Sequence, residues 1–105
     1  MSEAQRPERL VTTGWALYQA GNRQGALRDF RAALAIDPDN PEALVGLSQA
    51  QIALGLFGEA GGTADRLLEL APNMAQAHRI RGEVFRRQRK LGPAVALQSG
   101  LQRGY

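Results

Sequence analysis

The sequence predicts an all-α protein, a solenoid built from three antiparallel helix pairs. Apolar residues recur at helical spacing over almost the whole chain, and no stretch shows the sustained alternation of a strand. Small residues and prolines also repeat at a spacing of 34 residues: Ala26, Ala60 and Ala94 form one series, and Pro38 and Pro72 form another. A fixed period of this length is typical of stacked helical repeats.

Turn-forming residues divide the chain into six predicted helices, at about 7–20, 24–36, 41–54, 58–70, 75–89 and 93–104. Asn40 is a suitable N-cap, and Pro41 suits the first helical position because its missing N–H has no partner there. Gly21 and Gly55 stand where a helix would end in a left-handed residue. Arg89 occupies the third equivalent position, so the fifth helix cannot end in the same way at low cost.

The chain length of 105 residues accommodates one domain, predicted at 7–105 after a flexible N-terminus at 1–6. The three predicted units are 7–40, 41–74 and 75–105. There is no cysteine, which excludes disulfides and thiolate metal sites, and we expect neither a metal site nor a cofactor. The N-terminus has no apolar segment of the kind found in secretory signals, and no run reaches the ~20 apolar residues of a membrane helix. We therefore expect a cytoplasmic protein without a membrane span.

The same period carries a longer pattern. In the first unit it consists of Leu10, Gly14, Leu17, Tyr18, Gly21, Ala26, Phe30, Ala33 and Pro38. The second unit has an alanine, Ala64, where an aromatic residue is usual, and matches through Leu44, Leu47, Gly55, Phe57, Ala60, Leu67 and Pro72. The third unit matches more weakly, through Gly82, Phe85, Leu91, Ala94 and Leu101.

In register over three units, this set resembles the tetratricopeptide repeat family. The resemblance implies a right-handed superhelix of helix–turn–helix units. It also implies a non-enzymatic scaffold for protein–protein interaction, which holds a peptide or helix of a partner protein in its concave groove.

In such an architecture the first helix of each unit lines the groove. On the first helix, the residues offset from the packing positions are Val11, Trp15 and Tyr18. Shifting by one and two periods adds Val45, Gln49, Ile52, Arg79, Glu83 and Arg86, with Arg87 beside them. The predicted groove is therefore apolar and aromatic at one end and basic at the other, and Gly46 would leave space in its middle.

Two interpretations stay open for these side chains. Trp15 either anchors an apolar side chain of the partner or covers the N-terminal end of the core. Arg79 and Arg86 either receive an acidic group or a carboxylate of the partner, or form a solvated helix face. Arg89 and Lys90 are expected to lie in a turn and to be solvated.

The best-known ligand of the family, the C-terminal carboxylate of a chaperone, is not expected here. Its clamp uses lysine, asparagine and arginine at five positions of the first helices. This chain has other residues at all five, namely Val11, Trp15, Gly46, Gln76 and Ile80.

Charge is distributed unevenly along the chain. Residues 1–74 carry six arginines against nine acidic residues, a balance of −3, whereas residues 75–105 carry six arginines and one lysine against one acidic residue, a balance of +6. An alternative function is therefore head-to-tail self-assembly, in which a second copy would cover Val95 and Leu101 of the final helix. Binding of nucleic acid or an anionic surface is less favoured, because no nucleic-acid motif accompanies the basic residues.

The sequence offers no catalytic constellation. His78 is the only histidine, and it lies 34 residues after Leu44, so we expect it to pack against the core. Without a cysteine or a second histidine there is no nucleophile–base pair to propose, and we predict that the protein is not an enzyme. Gly61 and Gly62 fall inside the fourth helix, where each should cost about 1 kcal/mol relative to alanine.

Overall fold

The computed structural model describes residues 6–90. These residues form five α-helices and no strand. The helices are α1 (Pro7–Gln19), α2 (Arg23–Ile36), α3 (Pro41–Ala53), α4 (Phe57–Leu70) and α5 (Ala75–Lys90). The first five predicted helices are thus confirmed. The predicted helix at 93–104, with Val95 and Leu101, lies outside the described residues.

Two glycines end the first helix of a pair, as the sequence predicts. Gly21 and Gly55 have φ angles of +89° and +78°, in the left-handed region that glycine adopts without strain. The N–H of Gly21 donates to the carbonyl of Tyr18, and the next N–H, from Asn22, reaches back to Leu17 at 2.8 Å. This double pattern satisfies carbonyls that the helix end would otherwise leave unpaired.

Asparagine side chains begin α2 and α3. The side-chain oxygen of Asn40 accepts from the N–H of Ala43 at 3.0 Å, and Pro41 follows as the first helical residue, which confirms both predictions. Asn22 does the same for α2, by accepting from Gly25 at 2.9 Å. The residues that end one helix and begin the next therefore lie close together in sequence. The connections are short, and each helix packs against its neighbour in sequence.

The helices form two layers. α1, α3 and α5 lie side by side, with contacts between α1 and α3 and between α3 and α5. The second layer contains α2 and α4, each packed against the helix before it and the helix after it. The first layer contains the first helix of each unit, and these are the helices predicted to line the groove.

The core consists of two buried apolar clusters. The first core cluster centres on Phe30 and joins α1, α2 and α3. The second core cluster centres on Leu67 and joins α3, α4 and α5. Trp15 and Leu34 pack against both clusters, so the two units share one continuous interior.

The ring of Phe30 occupies space that two glycines leave open. Phe30 is fully buried, and a Cβ atom built on Gly14 would lie 2.7 Å from its ring. A Cβ atom on Gly46 would lie closer still. Gly46 was expected to leave space in the groove, and this expectation is wrong. The Phe30 ring of α2 occupies the space beside Gly46.

In the second unit, the equivalent positions carry side chains of the opposite sizes. One period after Phe30 stands Ala64, and one period after Gly46 stands Ile80. Both residues are buried in the second core cluster, with Ile80 only 1% exposed. In this unit the small residue is on the second helix and the large one is on the following helix, the reverse of Phe30 and Gly46.

Two further expectations are corrected in the third unit. His78 is exposed, not buried, and its Nε2 lies 2.7 Å from the carbonyl oxygen of Pro72. Burial of the imidazole would forfeit this hydrogen bond with the α4–α5 connection. Arg89 is helical rather than part of a turn, because α5 continues to Lys90 and has 16 residues where α1 has 13.

The two adjacent glycines of α4 differ in surroundings. A Cβ atom on Gly61 would make ordinary contacts at 3.6 Å with side chains of α5, which agrees with a close helix contact. Gly62 is exposed, and nothing lies within 4 Å of the Cβ position. Only Gly62 is therefore a purely local weakness of the helix.

We predict opposite effects for two glycine-to-alanine substitutions in helices. Gly46→Ala should lower the free energy of unfolding by about 1–3 kcal/mol, because the new methyl group overlaps the Phe30 ring. Gly62→Ala, the matched control, should raise it by roughly 0.5–1 kcal/mol through helix propensity alone. Urea unfolding followed by circular dichroism measures both, and a stabilising Gly46→Ala would contradict the packing described here.

Candidate partner-binding groove

An open cleft lies where α1, the start of α3 and the α4–α5 connection meet. It has a volume of about 480 Å³. Its lining residues are Val11, Thr12, Trp15, Pro41, Glu42, Val45, Met74 and Gln76. Volumes of 300–1,000 Å³ with mostly apolar walls are usual for binding clefts. The cleft uses residues from all three units, so stacking of the units creates it.

Trp15 packs against the core and also lines the cleft. Its ring packs edge-on against Phe30, with centroids 5.3 Å apart, and against Tyr18, with centroids 5.5 Å apart. It is half-buried and also lines the cleft. A core contact on one side of the indole therefore holds the other side in a defined position at the cleft wall.

Three of the predicted groove residues are more buried than expected. Val11, Val45 and Ile52 are only 5–6% exposed. Helices of the first layer pack against both a helix of the second layer and their neighbours in the first, so they bury more than one face. Val11 and Val45 still line the cleft floor, whereas Ile52 belongs to the second core cluster.

Tyr18 and Gln49 are half-buried and do not line the cleft. Tyr18 packs against the first core cluster and the edge of Trp15. Of the ten predicted groove residues, the structure therefore brings Val11, Trp15 and Val45 together in one cleft.

The basic residues lie along α5, outside the cleft lining. Arg79 and Arg86 are exposed, and no carboxylate among the described residues pairs with either. Glu83 is half-buried and accepts a hydrogen bond from Arg87 at 3.4 Å. Arg79 and Arg86 thus offer two uncommitted positive charges on the groove-lining layer.

A second open surface lies near the end of α5, lined by Phe85, Arg86, Arg87 and Arg89. Phe85 is 55% exposed, and the Arg89 guanidinium lies 5.8 Å above its ring. One period earlier stands Gln51, which accepts a hydrogen bond from Thr63 of α4 at 2.7 Å. By register, Phe85 therefore lies on the side of α5 that corresponds to the side of α3 facing α4.

The predicted groove did not include Glu42, Met74 or Gln76. The 34-residue period could have identified two of them, because Glu8, Glu42 and Gln76 follow one another at intervals of one period. Met74 comes from the α4–α5 connection, and helix periodicity carries no information about where a connecting segment approaches another helix.

Two other features of the described residues bear on function. No group of three or more histidine, aspartate or glutamate side chains comes together there as a metal site would require. None of the five helices is long and apolar enough to cross a membrane.

Two layers of paired helices with a cleft on the first-helix layer define a helical-repeat protein. The chain belongs to the tetratricopeptide repeat family, whose model matches residues 17–84. The resemblance predicted from the sequence is thus confirmed.

Relatives and solved structures agree with this assignment. The chain is 36% identical over 72 residues to cellulose synthase operon protein C of Xanthomonas axonopodis pv. citri (strain 306). The match covers 69% of this chain but only 5% of that protein. The fold is similar to a solved structure titled "First TPR of Spaghetti (RPAP3) bound to HSP90 peptide SRMEEVD", with a TM-score of 0.76 and 23% identity over 80% of this chain and 67% of that one.

We predict that a substitution of Trp15 changes the cleft wall and also destabilises the core. Trp15→Ala should lower the free energy of unfolding by about 2–4 kcal/mol, because the indole packs on Phe30 and on both core clusters. Trp15→Phe keeps an aromatic ring and should lose less than half as much. Thermal unfolding of both variants checks this, and an alanine variant as stable as the parent chain would show that the indole lies only on the surface.

Proposed function

We propose that this domain is a non-enzymatic scaffold that binds a segment of a partner protein, a peptide or a helix, in the groove of its first-helix layer. The observation that carries this proposal is the cleft itself. Val11 and Trp15 come from one unit and Val45 from the next, and together they present an apolar surface beside open solvent. Aromatic residues at such clefts are frequent binding hot spots.

The structural neighbour supports a peptide as the class of partner. By its title, that protein is bound to an HSP90 peptide, so a fold of this kind accommodates a short segment. At 23% identity only the fold is shared, and the residues of the cleft decide the ligand of this chain. The cytoplasmic location and the domain boundary at residue 7 stay predictions.

The basic face of α5 adds a second component. Arg79 and Arg86 would receive acidic groups of the partner, since neither is engaged by a carboxylate among the described residues. Charged contacts at the rim of an interface increase the association rate and select the partner more than they increase affinity. The proposed ligand therefore combines an apolar anchor with one or more acidic groups.

Charge reversal on α5 tests this assignment. Arg79→Glu and Arg86→Glu should weaken partner capture about tenfold or more, whereas Arg28→Glu, an equal change on α2, should leave it unchanged. The measurement is affinity capture from the native extract by the three variants and the parent chain, with quantitative mass spectrometry of the bound proteins. Equal losses from all three variants, or from none, would contradict a role for the α5 arginines.

Head-to-tail self-assembly is the second candidate, and the charge asymmetry of the chain favours it. The exposed Arg79 and Arg86 could meet acidic residues such as Glu42 of a second copy. Light scattering across protein concentration should then show mass growing with concentration and falling in about 0.5 M salt, which screens such contacts. A constant monomer mass under all conditions would exclude this candidate.

A further inference from the structure

The residues that line the cleft are mostly apolar. Val11, Trp15, Val45 and Met74 provide apolar walls, and Thr12 and Gln76 are polar but uncharged. Among the described residues, Glu42 is the one charged residue of the lining, and it is exposed. No arginine or lysine of the described residues lines the cleft.

Two positions on the groove-lining helices are buried in the core and present no charge to the cleft. Gly46 lies under the Phe30 ring, which leaves no space for a side chain. Ile80 is 1% exposed within the second core cluster. Arg79 and Arg86 of α5, which pair with no carboxylate in the described part of the chain, lie outside the lining. A negative group in the cleft would therefore lie beside Glu42, and no described cation lines the cleft to offset that charge.

We propose that the cleft binds an uncharged, bulky apolar side chain from the interior of a partner segment, and that it discriminates against a free C-terminus at this position. This inference rests on the proposed function and specifies its ligand. Two facts support it: apolar walls favour a side chain such as leucine, and a terminal carboxylate beside Glu42 would suffer like-charge repulsion while losing water. Acidic groups of the partner belong further along, near Arg79 and Arg86.

The single tryptophan makes the cleft observable. Because Trp15 is the only tryptophan in the chain and lines the cleft, a bound group changes its fluorescence directly. The probes are two acetylated pentapeptides of identical sequence that end in leucine, one with a free carboxylate and one with a carboxamide. A third probe, the amide with serine in place of leucine, reports binding that does not need the apolar anchor.

We expect the leucine amide to bind more tightly than the leucine acid, by about tenfold at low salt, and the difference to shrink at about 0.5 M salt. Glu42→Gln should remove the difference by improving the acid. The matched control is Glu8→Gln, one period earlier on α1 and outside the cleft lining, which should leave the difference intact. The serine amide should bind weakly to every variant.

The remaining outcomes separate this inference from the proposed function. If the acid binds as tightly as the amide, or if the difference survives Glu42→Gln, the cleft is a peptide site but our assignment of its ligand is wrong. If serine and leucine amides bind equally, the apolar anchor is wrong. If no probe changes Trp15 fluorescence up to millimolar concentrations, while urea unfolding shows an intact fold, both the inference and the proposed groove fail.

Discussion

The contact on which the structure depends most is that of the Phe30 ring with Gly14 and Gly46. The ring comes from α2, and the two glycines belong to different helices of the other layer. A side chain at either glycine would separate the layers, because a packed interior has no room for even one added methyl group. One aromatic residue thus fixes the distance between the layers and the position of the second unit relative to the first.

The groove depends on the same contact. Trp15 packs edge-on against Phe30 and also lines the cleft, so the cleft wall is supported by the first core cluster. Val11 and Val45 are likewise core residues whose outermost atoms reach the cleft. A surface of this kind is preorganised, which would lower the entropy lost if a partner binds there as proposed.

The apolar cleft and the basic residues lie in different parts of the groove-lining layer. Among residues 6–90, the cleft lining is mostly apolar with one negative side chain, whereas Arg79 and Arg86, which pair with no carboxylate there, lie along α5. This separation distinguishes the chain from a groove in which cations surround a carboxylate. It also explains why membership of the family does not specify the ligand, since the fold positions the surface and individual side chains set its chemistry.

The sequence by itself determined the repeat, the five described helices and those helix ends that local signals mark, namely the N-cap at Asn40 and the left-handed glycines Gly21 and Gly55. The end of α5, which has no such glycine, was not predicted correctly. Tertiary structure decided what the period could not express. His78 shares its register with Leu44 and yet is exposed, and Gly46 is filled by Phe30 instead of opening the groove. A period states which residues are equivalent, but burial depends on the size of the side chains that meet from different helices.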